Sequence, residues 1–390
     1  MDIKRLISKI IPFFMVADSQ PAKSNLHKNS SFDRSTLYGD KPSKLLYPVI
    51  QIGVDAEELE VQSLCLVSMY DAYYNIAKLQ EVIKGGRRCF VVLMYRESFG
   101  SGKIDVYYPE GYGIEASDYN EMFNEVKMFP CQINAQMELT AHGLHMELSF
   151  TDIYGRRHQY IVKENRSEND FFGMIAPVGV NLDMPKHFPL VYMKQFNFVN
   201  KKGTDLRITI DNRSIKPKNM IPFVNFHRVY LTRYSFNTVN RSWNPNYCGS
   251  LGAVDASSEI VHTANSEYRL ENNNGYIEVR SVISTLNGKE MKISFYPALP
   301  DFKALRDTDG LDGYFAFDSD EMNDILGGIY RITKNDEKVI MTMNPIDGYS
   351  PIPGKPWMAT PKWTGTMQFS DTVHFTRKWE KLSKKDKYST

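Results

Sequence analysis

Residues 133–150 carry apolar and polar side chains in alternation on both sides of a short turn that contains His142–Gly143. The apolar positions are Ile133, Ala135, Met137 and Leu139 before the turn, and Leu144, Met146, Leu148 and Phe150 after it. Because successive side chains of a strand point to opposite faces of a sheet, this pattern predicts an antiparallel hairpin with one buried face. Similar units recur along the chain, so we predict an all-β protein.

The composition is compatible with packed β domains and excludes few functions. The chain has 390 residues, enough for two domains, and 42% of them are apolar. The 47 basic and 46 acidic residues leave a net charge of +1, which provides no field to attract nucleic acid. A small molecule or another protein is therefore the expected partner. The four cysteines include no CxxC pair, which argues against a zinc knuckle or a redox dithiol.

The N-terminal residues combine an apolar and a basic helical face. The apolar face consists of Ile3, Leu6, Ile7, Ile10 and Ile11, opposite Lys4, Arg5 and Lys9. This pattern predicts peripheral membrane contact through residues 2–11. A signal peptide within residues 1–17 and a helix docked on the body are the alternatives. No run reaches the roughly 18 apolar residues that span a bilayer. A cytoplasmic or peripheral membrane location is thus favoured over secretion.

The rest of the chain is organised by one helical pattern and many strand patterns. Residues 1–45 are predicted to be an amphipathic helix and a poorly ordered polar lead-in. A helix is predicted over 69–84, where apolar residues recur at helical spacing before Gly85–Gly86. A segment rich in proline and glycine, 176–189, predicts a boundary between an N-terminal β domain, 46–185, and a C-terminal β-barrel domain, 186–390.

Three strings resemble ligand sites and are interpreted as turns. The Gly-Ser-Gly-Lys string at 100–103 lacks the residues that a phosphate loop needs on either side, and it lies between two predicted strands, 89–95 and 103–108. His142 and His145 have HxxH spacing, with His158 as the potential third zinc ligand. Asp307, Asp309 and Asp312 do not follow the calcium-loop spacing. We therefore expect no metal, nucleotide or other cofactor.

Acidic residues within apolar strands would indicate catalysis more strongly, because burial readies a carboxyl group as an acid. Glu278 lies beside Ile277 and Val279. It falls on the polar phase of its strand, so we interpret it as solvent-facing, near Arg280. The catalytic residues, if any, stay unassigned.

Aromatic residues are the more distinctive feature of the second half. Several share one phase of a predicted strand, as expected for the lining of a pocket that holds a large apolar ligand. The predicted ligand-binding residues are Tyr192, Phe196, Phe198, Tyr230, Tyr234, Trp243, Tyr247, Tyr296, Tyr330 and Trp357. Simple core packing is the alternative explanation for the same pattern.

Four segments together resemble the two-domain, lipocalin-like proteins that include carotenoid hydratases, tocopherol-cyclase-like proteins and Diels–Alder cyclases. The segments are 152–156 (DIYGR), 188–192 (FPLVY), 228–234 (RVYLTRY) and 375–379 (FTRKW). The resemblance covers about residues 90 to 380. It implies two β domains, the second a lipocalin-like antiparallel barrel, with an apolar ligand held in or between them.

The functional prediction is the binding of an apolar small molecule, such as an isoprenoid, polyene or lipid, in an aromatic-lined barrel pocket. One alternative is a cofactor-free hydratase or cyclase that acts on such a substrate, since confinement can supply much of the rate. Another is a carbohydrate-binding or carbohydrate-processing β-sandwich. An enclosed apolar cavity favours the lipid, a buried carboxyl group in that cavity favours the enzyme, and an exposed row of Trp and Tyr favours the sugar.

Overall fold

The computed structural model describes residues 35–53, 59–96, 102–120, 123–166, 171–175, 188–219, 229–264, 266–286, 288–319, 322–347 and 361–381. Strands dominate this part of the chain. Its helical elements are one turn of 3-10 helix at Ser35–Leu37 and a short helix, α1, at Ser117–Asn120. The predicted all-β class is confirmed.

The strands are numbered in chain order through the described residues. They are β1 Leu45–Leu46, β2 Ile52–Gly53, β3 Glu60–Ser68, β4 Ile76–Lys84, β5 Arg87–Tyr95, β6 Lys103–Tyr108, β7 Glu125–Pro130, β8 Asn134–Thr140, β9 Gly143–Thr151, β10 Arg157–Lys163, β11 Phe172–Ile175, β12 Phe188–Asn200, β13 Asp205–Ile210, β14 Arg213–Ser214, β15 Val229–Trp243, β16 Tyr247–Ser250, β17 Val254–Asp255, β18 Ile260–His262, β19 Glu267–Asn273, β20 Tyr276–Leu286, β21 Lys289–Leu299, β22 Thr308–Ser319, β23 Met322–Asn335, β24 Lys338–Asp347, β25 Pro361–Gln368 and β26 His374–Lys381.

The chain divides into two compact units. We call the first the sandwich unit, Ala56–Asn181 with Val191–Asn240, and the second the ten-strand unit, Met1–Asp55 with Leu182–Leu190 and Arg241–Thr390. This division differs from the boundary expected near residue 185. The reason is that β13 pairs with β10 and β15 pairs with β3, so strands expected in the C-terminal barrel complete the sheets of the sandwich unit.

The sandwich unit contains two sheets. The larger one has the strand order β11-β12-β15-β3-β4-β5-β6-β7, and the smaller one the order β14-β13-β10-β9-β8. The larger sheet ends in a parallel pair, β6 with β7. One apolar cluster joins the two sheets, since it combines Cys65 and Met94 of the larger sheet with Met146, Tyr160 and Ile208 of the smaller one. The sheets therefore pack face to face as in a β-sandwich.

The hairpin at residues 133–150 forms as predicted. β8 pairs with β9 and places Met137 opposite Met146, with both side chains in the core. β10 then pairs with β9 and completes the predicted meander. The predicted strands 89–95 and 103–108 are also confirmed, as the paired strands β5 and β6. Gly100 and Ser101 of the turn between them lie outside the described residues.

The predicted helix at 69–84 is wrong, because residues 76–84 form strand β4. Gly85 and Gly86 have φ values of +54° and +73°, and Lys84 pairs with Arg87 around them. Two positive φ values fit a tight two-residue hairpin turn rather than a helix end. Both faces of β4 are covered, so Leu79 and Val82 are both buried although they point to opposite faces. The apolar residues on both faces produced a spacing that resembles a helix.

The ten-strand unit is built on one antiparallel sheet. Its strand order is β16-β26-β25-β24-β23-β22-β21-β20-β19-β18, so neighbours in the chain from β18 to β26 are neighbours in the sheet. This up-and-down order suits a barrel, but closure of the sheet into a lipocalin-like barrel stays a prediction. Trp243 lies in the core of this unit, with its ring centroid 4.7 Å from that of Phe317 and 5.0 Å from that of Trp379.

The end of the predicted lead-in packs on this unit. Tyr38 is buried, forms an isolated β-bridge with Leu305 and stacks on Tyr276 with 3.8 Å between ring centroids. Its hydroxyl donates a hydrogen bond to the carboxylate of Glu278. Glu278 is 1% exposed, so its interpretation as a solvent-facing residue is wrong. Residues 35–46 cover a sheet face that the sequence pattern alone suggested was open.

Candidate functional site: a tyrosine surface on the sandwich unit

Four large apolar side chains of the sandwich unit are exposed close together. Tyr70, Tyr73, Ile153 and Tyr154 expose 63%, 49%, 54% and 54% of their surface. We call these four residues the tyrosine surface. The rings of Tyr73 and Tyr154 lie 4.7 Å apart between centroids, at an interplanar angle of 37°. A cluster of exposed aromatic side chains is unusual on a protein surface and typically marks a binding site.

Two connections supply these side chains, and an aspartate shapes each of them. In the connection between β3 and β4, the carboxylate of Asp71 accepts hydrogen bonds from the backbone amides of Tyr73 and Tyr74, at 3.0 and 3.1 Å. In the turn between β9 and β10, the carboxylate of Asp152 accepts them from the amides of Tyr154 and Arg156, both at 2.9 Å. Such Asp-to-backbone bonds fix a turn locally.

Arg156 joins the two connections. Its Nε donates to Asp152 at 2.8 Å, and its Nη1 donates to the two oxygens of Asp71 at 3.0 and 3.2 Å. Its guanidinium carbon also lies 4.3 Å from the ring centroid of Tyr73, within the range of a cation–π contact. Because the side chains of Asp152 and Asp71 are 0% and 6% exposed, these ion pairs are shielded from water. One partly buried cation therefore holds both tyrosine-bearing connections.

The pKa of Asp71 reflects this environment. Burial acts to raise it, but the amides of Tyr73 and Tyr74 and the charge of Arg156 outweigh burial and hold the pKa below its usual value. The carboxylate thus stays ionised over the physiological range and remains bound to Arg156.

His158 and Tyr160 extend the hydrogen bonds of Asp152 into the core. Nε2 of His158 lies 2.9 Å from Oδ2 of Asp152, and Nδ1 lies 3.0 Å from the hydroxyl of Tyr160. Burial lowers the pKa of His158 more than the neighbouring Asp152 raises it, so the imidazole is neutral near pH 7. A neutral ring with its proton on Nε2 donates to Asp152 and accepts from Tyr160, which satisfies both contacts.

Tyr74, Tyr107 and Asp105 support the surface from below. The hydroxyl of Tyr74 donates to Asp105 at 2.8 Å and lies 2.9 Å from that of Tyr107, which accepts a hydrogen bond from the amide of Ile153 at 3.2 Å. Burial raises the pKa of Asp105, against the opposing effects of Tyr74 and Arg96, and it raises the pKa of Tyr107 to about 12. The exposed rings are thus anchored to a hydrogen-bonded core, and their positions are set before any ligand arrives.

Basic side chains accompany the tyrosine surface. The ammonium group of Lys218 lies 5.1 Å from the ring centroid of Tyr70 and donates to the side-chain carbonyl of Asn75 at 2.8 Å. The backbone amide of Tyr70 donates to the carbonyl of Lys216, which places a second lysine on the adjoining segment. Arg157 follows Arg156 directly and is exposed. Asp71 and Asp152 are already bound to Arg156, whereas the exposed carboxylate of Asp211 accepts the backbone amide of Arg157 at 2.9 Å and adds a negative charge beside that cation.

The predicted ligand-binding residues are divided between the two units. Tyr192, Phe196, Phe198, Tyr230 and Tyr234 lie in the sandwich unit; Trp243, Tyr247, Tyr296 and Tyr330 lie in the ten-strand unit; and Trp357 lies outside the described residues. Tyr192, Phe196, Tyr234, Trp243 and Tyr330 are buried, Phe198, Tyr230 and Tyr296 are partly buried, and Tyr247 is 40% exposed. Trp243 and Tyr330 are completely buried, which fits core packing. Ligand binding by this set stays a prediction.

The three histidines considered as zinc ligands do not converge. His145 is on the solvent side of the smaller sheet, beside Glu138, whereas His158 points into the core from the same sheet. His142 is exposed in the turn before β9. Opposite faces of one sheet cannot share a metal ion, so this ligand set is excluded.

Two of the aspartates considered for calcium, Asp309 and Asp312, belong to a strand rather than to the predicted turn. β22 begins at Thr308, with an irregularity between Thr308 and Leu311, and Asp312 pairs with Arg331. The carboxylate of Asp307 accepts the amide of Asp336 instead. Within the described ranges, no cluster of three potential metal ligands occurs.

The sequence contains one signal for the tyrosine surface that alternation could not reveal. Tyr70, Tyr73 and Tyr74 lie in the string MYDAYYN, which the helical interpretation of 69–84 absorbed. The string DIYGR at 152–156 contains Tyr154, but in the sequence it carries only the resemblance to lipocalin-like proteins. An Asp two or three residues before a Tyr in a connecting segment is the local feature that the two strings share.

Comparisons with known proteins add no assignment. No family model, curated protein or solved structure matches the chain significantly. The resemblance to two-domain lipocalin-like proteins therefore stays a prediction. Among the described residues, no helix is long and apolar enough to cross a bilayer. The predicted membrane contact through residues 2–11 concerns residues outside the described part of the chain.

Proposed function

We propose that the protein binds carbohydrate through the tyrosine surface of its sandwich unit. The observation that carries this proposal is the exposure of Tyr70, Tyr73 and Tyr154 on connections held by buried ion pairs. An exposed set of tyrosines on a β-sandwich is the arrangement that the sequence-based alternatives associate with sugar. Rigid support matters because a site that is ordered beforehand loses less entropy on binding.

The chemistry of the surface suits a saccharide with acidic groups. A phenol ring offers an apolar face for the C–H groups of a pyranose and a hydroxyl for hydrogen bonding. Lys218, Lys216 and Arg157 add positive charge beside the rings. A carboxylate-bearing sugar would gain charge-assisted hydrogen bonds from these cations that a neutral sugar lacks.

The experiment is calorimetric titration of the full chain with a uronic-acid tetrasaccharide and with the neutral cellotetraose as a matched ligand. Tyr70→Ala and Tyr154→Ala should each weaken binding of the acidic tetrasaccharide by about tenfold, corresponding to the loss of one aromatic contact. Both residues are more than half exposed, so the variants should keep the fold. Tyr247→Ala, which removes an exposed tyrosine from the ten-strand unit, is the control and should bind like the wild type.

Two results would contradict the proposal. One is a wild-type protein that binds neither tetrasaccharide at millimolar concentration. The other is binding that Tyr247→Ala weakens as much as Tyr70→Ala and Tyr154→Ala do. Circular dichroism of each variant separates loss of the site from loss of the fold.

Binding of an apolar small molecule remains the second proposal. It is supported by the predicted aromatic set, in which Phe198, Tyr230 and Tyr296 are only partly buried. The enzyme alternative would require an acid that faces its substrate. Glu278, a buried carboxyl group on β20, accepts hydrogen bonds from Tyr38 and, at 3.1 Å, from the side-chain amide of Asn273.

A further inference from the structure

We propose that the solvent face of the smaller sheet holds a second site, for an uncharged oligosaccharide that lies across strands β8, β9 and β10. This face carries a depression of about 370 Å³, which residues of these three strands line. Its volume is at the lower end of the range of roughly 300–1,000 Å³ that is typical of ligand sites. No residue of the tyrosine surface is among those that line the depression. The second site therefore goes beyond the binding proposed for that surface and does not depend on it.

Strand register forms a row of uncharged hydrogen-bonding side chains through the depression. Asn134 of β8 pairs with Ser149 of β9, and Ser149 pairs with Gln159 of β10. The adjacent residues Leu148 and Tyr160 belong to the sandwich core, so the side chains of Ser149 and Gln159 point to solvent. Neighbouring strands lie about 4.8 Å apart. A ligand that crosses the strands therefore meets one hydrogen-bonding side chain on each of them.

The lengths of the side chains fit the shape of the depression. Ser149 has a short side chain on the middle strand, whereas Asn134 and Gln159 carry longer amide groups on the strands to either side. The next row of the same face contributes Ile161 of β10 to the lining. Ser149, Gln159 and Ile161 are half-buried although they face solvent. The face thus forms a shallow trough with a polar row and an apolar side chain beside it.

The hydrogen-bonding capacity of this row is available to a ligand. Among the described residues, the side chains of Asn134, Ser149 and Gln159 have no hydrogen-bond partner within the protein. Each of them carries groups that can donate and groups that can accept hydrogen bonds. Sugar hydroxyls also donate and accept, and Ile161 offers an apolar contact to the C–H groups of a pyranose. The side chains present therefore match an uncharged, polyhydroxylated chain.

The charges at the depression are already paired. Glu147 lines it, and the carboxylate of Glu147 lies 2.6 Å from Nζ of Lys163. The hydrogen bond and the charge of Lys163 hold the pKa of Glu147 below its usual value, so this pair persists near neutral pH. On the neighbouring strand β13, Arg207 is paired with Asp205 at 2.8 Å. Because each of these cations has its own carboxylate, this face favours an uncharged ligand over an anionic one.

The position of the depression favours a saccharide over a peptide. Extended peptides typically add to the edge of a sheet through backbone hydrogen bonds. The depression is centred on β9, whose backbone is already paired with β8 on one side and with β10 on the other. A ligand on this face meets side chains rather than free backbone groups, which suits the hydroxyl groups of a sugar.

The test is calorimetric titration of the full chain with two uncharged tetrasaccharides, cellotetraose and mannotetraose. The wild type should bind at least one of them. Gln159→Ala should weaken this binding by about 2–12-fold, the range expected for the loss of one hydrogen bond between uncharged groups. Ser149→Leu places a larger side chain in the depression and should abolish the binding. Both side chains face solvent, so the variants should keep the fold, which circular dichroism verifies.

Two control variants match these changes. Ser214 is exposed in the same row of the face but on β14, outside the depression, so Ser214→Leu is the control for Ser149→Leu. Gln368→Ala removes an exposed amide from the ten-strand unit and is the control for Gln159→Ala. Both controls should bind like the wild type. Because the contacts are uncharged, the affinity should change by less than about twofold between roughly 0.1 M and 1 M salt.

Four results would overturn the proposal. They are the absence of binding of either tetrasaccharide to the wild type at millimolar concentration, binding by Ser149→Leu that equals that of the wild type, loss of binding at high salt, and binding of a capped Ser–Asn tetrapeptide in place of both sugars. Tyr154→Ala should leave binding of the uncharged tetrasaccharides unchanged, and Gln159→Ala should leave binding of the uronic-acid tetrasaccharide unchanged. A failure of the tyrosine surface as a site can therefore be told apart from a failure of this one.

Discussion

Replacing Arg156 by methionine should destabilise the sandwich unit strongly, and to a degree that depends on pH. Methionine keeps much of the apolar bulk of the side chain and removes its charge. The change leaves Asp152 and Asp71 without their shared cation, although their side chains are 0% and 6% exposed. Two buried carboxylates without a cation are far less stable than the ion pairs that they replace.

The expected magnitude follows from two estimates that agree. Removal of one partner of a buried ion pair typically costs about 3–5 kcal/mol. Alternatively, a stranded carboxylate can take up a proton, which at pH 7 costs about 4 kcal/mol for a group with an ordinary pKa near 4. Protonation therefore limits the loss for each carboxyl group. We expect the free energy of unfolding to fall by about 3–8 kcal/mol at pH 7, where the upper value corresponds to protonation of both carboxyl groups.

The second estimate also predicts the pH dependence. If the stranded carboxyl groups are protonated in the folded variant, lowering the pH makes that protonation easier by about 1.4 kcal/mol per pH unit for each group. The difference between the variant and the wild type should therefore shrink between pH 7 and pH 5. The difference shrinks at lower pH because the folded variant takes up protons. The folded wild type does not take up a proton at Asp71, since the pKa of that carboxyl group is lowered.

Urea unfolding and hydrogen exchange measure this effect. The described tryptophans, Trp243, Trp363 and Trp379, lie in the ten-strand unit, so unfolding of the sandwich unit is followed by circular dichroism and by amide exchange of residues 152–163. Arg207→Met is the matched control on the smaller sheet, since its ion pair with Asp205 is 63% and 46% exposed and contributes about 0–1 kcal/mol at most. This account of the Arg156–Asp71–Asp152 network would be refuted if Arg156→Met lowered the free energy of unfolding by less than about 1 kcal/mol. It would also be refuted if the decrease did not change with pH.

Three further changes test other parts of the fold. Because the pKa of His158 is lowered in the folded state, its contribution to the free energy of unfolding should be fully present above about pH 6.5 and should decrease below it, by up to about 1.4 kcal/mol per pH unit. In His158→Gln, the free energy of unfolding measured with urea should lose this dependence on pH. Trp243→Ala leaves a cavity at a fully buried position beside Phe317 and should lower the free energy of unfolding by about 3–5 kcal/mol. The urea midpoint should fall accordingly, and an unchanged midpoint would contradict the place of Trp243 in the core. Gly328→Ala would bring a methyl group within 2.1 Å of the backbone oxygen of Asn344 and should lower the melting temperature, whereas Gly252→Ala, with open space around it, should not.

The sequence predicted strands well where one face of a sheet is solvated. Alternation at 133–150 located β8 and β9 because His145 and Glu147 contact solvent while Leu144 and Met146 are buried. It failed at β4, where both faces are covered and Leu79 and Val82 are both buried. A strand covered on both sides shows no period of two, and its apolar residues can match a helical spacing by chance.

The candidate site was harder to predict than the fold. Aromatic residues were expected to line a pocket, but the most exposed of them, Tyr70 and Tyr154, lie in connections where strand periodicity carries no information. Their support depends on Arg156, which reaches an aspartate 85 residues away in the chain, and no local pattern predicts such a contact. Glu278 shows the converse error, because Tyr38, 240 residues earlier, covers it.

The pairing of β15 with β3 has a consequence during synthesis of the chain. β3 ends at Ser68 and β15 begins at Val229, so about 160 residues must be made before the two strands can meet. At about 5–20 residues per second this takes roughly 8–30 s, during which the hydrogen-bonding edge of β3 has no partner strand from β15. A nascent chain halted within that interval presents an apolar edge strand to its neighbours, which is the situation that chaperones relieve.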